Sequence, residues 1–252
     1  MIRALALAAL VAAAVPARGD GCLDLAQYGS VLQAHTRSVA DVAGTHVDYA
    51  ALKVSPQWHE VVKSLANCDP ARLGTREEKL AFWINAYNLL AIDLVASHWP
   101  VGSIKEIGSF LFPVWGKPAG QIHGKTYTLE QNRVGPGRAL GDPRVHAAIV
   151  CASTSCPSLA REPYLSASID AELDRAFAGF ISNRDKGFAI DRQAGAVRLS
   201  SIFKWFGSDF DRQGGVLKVI ARYLGEDDRK WLLAHRNPTL DYLPYDWRVN
   251  AY

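Results

Sequence analysis

Within twelve residues this chain places an imidazole, two thiols and a cluster of hydroxyls: His146-Ala-Ala-Ile-Val-Cys151-Ala-Ser-Thr-Ser-Cys156-Pro157. A thiolate attacks acyl carbonyls, disulfides and other electrophiles, and a neighbouring imidazole is a common base for generating it. Cys151 is the candidate nucleophile, His146 the nearest candidate base, and Cys156 the second thiol of the set. Pro157 favours the first turn of a helix, which would make Cys156 an N-cap and bring the positive end of a helix dipole to either sulfur. Ser153 and Ser155 could donate to an oxyanion or orient substrate, and they are equally suited to capping a turn. The competing reading is a Cys151–Cys156 bridge, which five residues of separation permit and do not require.

The elements that must hold this set are next. Residues 145–151 form a short apolar run that reads as a buried strand, so the cysteines would sit at a strand-to-helix turn. On a straight strand residues 146 and 151 face opposite ways, and pairing them needs a bend near Cys151. His46 and His123, in loop or strand-edge contexts, are the preferred alternative bases, followed by His59, His98 and His235. A second polar set lies in Trp83-Ile-Asn85-Ala-Tyr87-Asn88, where Asn85 and Asn88 share one face of an otherwise apolar helix. Buried amides must find partners. Trp83, Asn85 and Asn88 are therefore candidates for substrate binding, for orienting the cysteine loop, or for a purely structural network.

Thr75-Arg-Glu-Glu78 is a capping box, and the apolar run after it predicts a buried helix ending before Trp99-Pro100. Helical spacing also marks residues 23–37, 168–181, 216–224 and 228–235, and Ser55-Pro56 starts another helix. Val47-Asp48-Tyr49 reads as a short extended element, residues 121–127 as a hairpin, and 196–199 as a strand. The Gly- and Pro-rich connection 100–143 is long enough to lie over a cleft. No repeat or low-complexity linker divides the chain. The expected fold is a helix-rich α+β single domain around a small, mainly antiparallel sheet, with a papain- or transglutaminase-like arrangement as its specific form.

Residues 1–17, with Arg3, an apolar run over 4–15 and Val15-Pro-Ala17, predict a cleaved secretory signal and leave 18–252 as the mature domain. The expected location is periplasmic or secreted. No other segment reads as a membrane span, so none is expected after signal cleavage. Loss of Arg3 lowers the formal charge from +3 to +2. That is too nearly neutral to argue for nucleic acid. Four cysteines in an exported chain invite pairing. Cys22–Cys68 is the favoured pair, a loop worth about 3–4 kcal/mol on the chain-entropy account, and Cys151 with Cys156 remains. No metal-ligand spacing, P-loop, dinucleotide fingerprint or Gly-x-Ser-x-Gly elbow is present, so neither metal nor cofactor is expected.

Several segments together resemble the DUF547 family, uncharacterised proteins of bacteria and eukaryotes. They are Val47-Asp48-Tyr49-Ala-Ala-Leu52, Glu78-Lys-Leu-Ala-Phe82-Trp83-Ile-Asn85-Ala-Tyr87-Asn88, Asp142-Pro-Arg144-Val-His146, Cys151-Ala-Ser153-Thr-Ser155-Cys156-Pro157, Leu199-Ser-Ser-Ile-Phe-Lys204-Trp205-Phe, Asp209-Phe210 and Tyr245-Asp246-Trp247. Their order spans roughly residues 45–250. The chain departs from the family pattern at Glu130-Gln-Asn-Arg-Val-Gly-Pro-Gly137, where similar proteins show an Ile-Glu-like pair leading into a helix. The groups around Lys204, Trp205 and Asp209 and around Tyr245 and Trp247 could line a cleft or form the packing signature of the fold, and packing is the favoured reading.

The leading expectation is an exported thiol-dependent hydrolase or acyltransferase acting on a small-molecule or peptide substrate, with Cys151 as nucleophile. The alternatives are a binding or scaffolding module with a structural Cys151–Cys156 bridge, and a thiol–disulfide exchange protein, which the missing C-x-x-C disfavours. Oligomeric state stays open.

Overall fold

The computed structural model describes residues 22–132, 140–235 and 237–252. The expected signal at 1–17 lies outside them. Asp24 caps α1 (Leu25–His35), which runs into a short hairpin, β1 (Thr36–Ser38) and β2 (Thr45–Val47). Asp48 then accepts the Ala51 N–H and starts α2 (Tyr49–Val54), so of the expected extended element Val47 lies in β2 while Tyr49 begins a helix. Ser55 and Pro56 start α3 (Pro56–Ala66), as expected. Beside it, Cys22 and Cys68 stand at disulfide distance with Cα atoms 5.0 Å apart.

The Thr75 capping box opens α4 (Arg76–His98): Thr75 Oγ1 accepts the Glu78 N–H, and the Glu78 carboxylate accepts the Thr75 N–H. Every side chain from Leu80 to Ile92 is buried, so other elements surround this helix. By length and composition α4 would pass for a membrane span, but 89% of that window is buried inside the protein. That is the packing of a core helix. β3 (Pro118–Ile122) and β4 (Lys125–Thr128) form the expected hairpin, turning at His123 and Gly124, whose φ values of 50° and 70° suit a tight two-residue turn. The short α5 (Leu129–Asn132) follows.

A second apolar cluster forms between α6 (Ile169–Ser182), β5 (Phe188–Asp191), β6 (Ala196–Leu199), α7 (Ser201–Trp205), α8 (Val216–Ile220) and α9 (Glu226–Ala234), with Phe177, Phe203 and Phe210 at its centre. β7 (Thr239–Tyr242) completes the three-stranded sheet β5-β6-β7 by pairing parallel to β6. The fold is thus helix-rich α+β. Among the described residues the strands form three small separate sheets in place of one, and a parallel pair accompanies the antiparallel pairs.

The largest correction concerns the cysteine segment. Residues 143–147 form a 3-10 helix, not a strand, because Asp142 caps it through the Arg144 N–H and Pro143 fits its first turn. No helix follows Pro157 either, so the expected N-terminal dipole is absent from Cys156. The segment is a loop held by distant backbone. In the segment 244–252, Arg248 O accepts the Thr154 N–H at 2.8 Å and the Asn250 N–H donates to Ala152 O at 3.1 Å. The same segment binds β2 through Val47 N–H to Asn250 O and meets Gly102 O through the Val249 N–H. It acts as a strap tying the cysteine loop to the first half of the chain.

Behind that loop Lys186, only 2% exposed, donates to Ala43 O at 2.9 Å and to Ser158 Oγ at 3.3 Å. Burial pushes its ammonium down to about 8. Unfolded, the group keeps its proton up to roughly pH 10.4. Between these values the unfolded chain holds more protons, so folding stability rises with pH. Urea unfolding at about pH 7.5 and 9.5 should show a rise of about 1–2 kcal/mol in the wild type that Lys186→Met lacks; equal rises would contradict this.

Candidate functional site

A cleft of about 500 Å³ opens where the cysteine loop, the 3-10 helix at 143–147, α7 and the strap meet. Cys151, Cys156 and His146 all line it. Cys151 and Cys156 stand at disulfide distance, with Cα atoms 6.3 Å apart. Cys151 is half-buried and Cys156 is 2% exposed. The bend that turns both sulfurs the same way falls at Ala152, whose φ of 62° is unusual for a residue with a Cβ.

The two sulfurs differ in their polar contacts. Cys156 Sγ is met by the Cys151 N–H at 3.1 Å, by Ser153 Oγ at 3.2 Å and by the Tyr245 hydroxyl at 3.2 Å. Cys151 Sγ has Ser153 Oγ at 3.2 Å and the Tyr245 hydroxyl at 3.6 Å. Cys156 thus has three polar contacts and Cys151 two, while Cys151 is the more accessible sulfur.

His146 is held on two sides. Its Nε2 lies 2.8 Å from Asp209 Oδ2, and its ring stacks on Phe206 with centroids 4.6 Å apart and planes 9° apart. A carboxylate on one imidazole nitrogen fixes the ring's orientation. The helix that carries His146 is anchored by its own ion pairs: Arg144 reaches Asp142 at 2.7 Å, Asp170 at 2.6 Å and Asp174 at 2.8 Å. Burial pushes the Asp142 carboxyl up, but its bonds to Arg144 and Arg76 outweigh this and hold it below the usual carboxylate range. On its far side the His146–Asp209 pair borders a smaller pocket of about 300 Å³ with Arg212.

The opposite wall is aromatic. Trp205 stacks on Trp247 (5.6 Å, 26°), Tyr245 packs against both, and Trp115 approaches Trp247 at 5.9 Å. Lys105 Nζ sits 3.9 Å over the Trp247 ring, a cation–π contact at the cleft. Trp205, Tyr245 and Trp247, read from the sequence as packing, line the cleft. Trp115 and Lys105 come from the Gly- and Pro-rich connection, which does reach it.

The other sequence candidates lie elsewhere. Ser153 sits behind the sulfurs, and Ser155 Oγ accepts the Asp246 N–H from the strap at 2.9 Å. Asn85 is committed to both backbone groups of Tyr164. Asn88 donates to Ala148 O at 2.9 Å and accepts the Val150 N–H at 2.8 Å. It thus clamps the residues leading into Cys151. Trp83 is buried against Phe82 and Tyr127. Of these, neither asparagine nor Trp83 is among the cleft's lining. His46 is tied to Ala251 O and Asp41, and His123 turns the β3–β4 hairpin, so the cleft's imidazole is His146.

Sequence reasoning missed Asp209 as the partner of His146 and the Tyr245 hydroxyl as the group between the sulfurs. One signal was available: Trp115 and Trp247 belong to no helical or strand periodicity. An aromatic outside every periodic element has no assigned packing role. Residues 133–139, most of the departure from the family pattern, lie outside the described residues.

The geometry predicts that Asn88→Ala leaves a buried N–H and a buried carbonyl unpaired and costs about 2–4 kcal/mol. Urea unfolding measures it, and a change within about 0.5 kcal/mol would show that Asn88 is no clamp.

Residues 70–181 match the family model described as "Protein of unknown function, DUF547". The match takes in α4, His146 and both cleft cysteines and leaves Trp205, Asp209, Tyr245 and Trp247 outside. No curated protein and no solved structure matches the chain.

Proposed function

We propose that this chain is an exported thiol-dependent hydrolase or acyltransferase whose nucleophile, Cys151, is held in reserve by its bridge to Cys156. The observation that carries the reading is the convergence of a cysteine pair and His146, whose Nε2 is held by Asp209, on one aromatic-walled cleft.

Activation requires a dithiol reductant. Its thiolate attacks Cys151 Sγ, the sulfur–sulfur bond breaks, and Cys156 leaves as a thiolate into the donors from Cys151 N–H, Ser153 and Tyr245. The reductant's second thiol, on losing its proton, resolves the mixed disulfide and releases Cys151, which takes up a proton, while the reductant is oxidised to a disulfide. His146, held by Asp209 at Nε2, is the base that this reading assigns to the Cys151 proton. The thiolate then attacks an acyl carbonyl and forms a tetrahedral oxyanion. The leaving group departs with the proton from His146, leaving a thioester. Water or another acceptor, losing its proton to His146, attacks that thioester and regenerates Cys151.

The aromatic wall and Lys105 suit a substrate with a flat or apolar group near its acyl carbon. A second reading, thiol–disulfide exchange, is favoured by the three donors on Cys156, because a stabilised leaving thiolate makes a bridge easy to open. The two readings part after reduction.

With p-nitrophenyl acetate the reduced protein should release a burst of about one equivalent of p-nitrophenolate, with the acetyl group mapped to Cys151 by peptide mass spectrometry. Cys151→Ser should abolish the burst, and His146→Ala should slow acylation roughly 10²- to 10⁴-fold. A burst undiminished in Cys151→Ser sinks the hydrolase reading. Absence of any burst, with rapid oxidation of a dithiol peptide by the bridged protein, moves the function to exchange.

A further inference from the structure

Lys186 and Ser158 are left unused by the cleft chemistry. Lys186 is 2% exposed, and it donates to Ala43 O at 2.9 Å and to Ser158 Oγ at 3.3 Å, yet no carboxylate among the described residues forms an ion pair with it. A buried ammonium without a carboxylate is costly. Ala43 O does not require one, because Ser158 Oγ already donates there at 3.1 Å. Ser158 itself is exposed and lines a second pocket of about 390 Å³, apart from the cleft that Cys156, two residues earlier, helps to line. Gly44 gives the hydroxyl its place: its φ is 76°, and a Cβ there would stand 2.3 Å from Ser158 Oγ.

We propose that Ser158 and Lys186 are a second nucleophilic site, a serine–lysine dyad that accepts small uncharged acyl esters. Ala43 O holds an N–H of the neutral amine, which leaves the lone pair for the Ser158 proton once that hydroxyl turns from Ala43 O to Nζ. Ser158 Oγ attacks the ester carbonyl as its proton passes to Lys186 Nζ. The bond to the alcohol oxygen breaks, Lys186 returns the proton to that oxygen, and an acyl-serine remains. Water, giving a proton to Lys186, attacks the acyl carbon. The proton passes on to the departing Ser158 oxygen, and the acid is released.

The pocket selects the substrate class. Its volume is at the small end for ligand sites. Leu159, Pro163 and Phe180 line it and suit a short acyl chain, while its charges balance, Arg161 and Arg175 against Glu162 and Glu172. Burial brings the neutral amine within reach of mildly alkaline pH, since the ammonium is pushed down to about 8. Asp41 acts on Lys186 through space and opposes this shift, and its carboxylate is bonded to the Gly44 N–H and to His46. Below about pH 6.5 the amine keeps its proton, so acylation of the reduced cleft measured there is separate from the dyad.

The test uses the oxidised protein, in which the Cys151–Cys156 bridge keeps the thiols out of the reaction and makes the outcome independent of the cleft's. With a fluorophosphonate probe the Ser158 oxygen–phosphorus bond forms, fluoride leaves and Lys186 takes the proton. Peptide mass spectrometry should map the label to Ser158, at a rate that climbs to a plateau with its midpoint at about 8. Turnover of p-nitrophenyl butyrate should follow the same profile. Ser158→Ala should lose both, and Lys186→Met, its fold checked by circular dichroism, should slow labelling roughly 10²- to 10⁴-fold. Labelling of Ser158 no faster than of other exposed serines overturns the proposal, as does an equal rate in folded Lys186→Met. Where that variant does not fold, the wild-type profile decides, and a rate with no such plateau overturns the dyad.

Discussion

The backbone of the cysteine loop is held from two directions, and the rest of the site depends on it. From inside, Asn88 on α4 takes Ala148 O and the Val150 N–H. From outside, the strap binds Ala152, Thr154 and Ser155 through three backbone–backbone hydrogen bonds and two that use side chains, the Thr154 hydroxyl donating to Arg248 O and Ser155 Oγ accepting the Asp246 N–H. A loop without regular structure has no ladder of its own to satisfy its peptide groups. Here those groups are satisfied by an asparagine 62 residues away from Val150 and by a segment 94 residues away from Thr154. This over-determination is what tolerates the left-handed Ala152 and keeps both sulfurs on one side.

The same clamps explain the division of labour among polar residues. Asn85 and Asn88 are buried within α4 and serve backbone, so they fix geometry and leave chemistry to the cleft. His146 is positioned by a different set: the capped 3-10 helix, the Arg144 ion pairs, Phe206 and Asp209. Two independently anchored units therefore meet at the cleft, and the aromatic wall from α7, the connection and the strap closes it. The aromatic rings that line the cleft with the sulfur pair lower the local polarity, which strengthens the polar contacts that remain.

Local signals in the sequence were reliable where the physics is local. The Thr75 capping box, Ser55-Pro56 and the His123-Gly124 turn each determine their element within four residues, and each element formed as read. The Cys22–Cys68 pairing also followed, because both cysteines flank helices of the same layer. The segment 143–151 was misread because apolar composition resembles a strand, while the decisive signal was the Asp142-Pro143 start. The site's partners were illegible for another reason. Asp209 lies 63 residues from His146, and Tyr245 lies 94 from Cys151, so only the tertiary fold brings them together. A single chain carries no local trace of such contacts.

The central claim is that reduced Cys151 shares its proton with an imidazole oriented by Asp209. The pH dependence of its alkylation by iodoacetamide, followed residue by residue in the reduced wild type, His146→Ala and Asp209→Asn, tests this most directly. The account predicts that wild-type Cys151 reacts at about pH 6 roughly tenfold or more faster than an ordinary thiol, and that His146→Ala removes this advantage. A rate that rises only near the ordinary thiol value of about 8.5, and is the same in all three proteins, would contradict it.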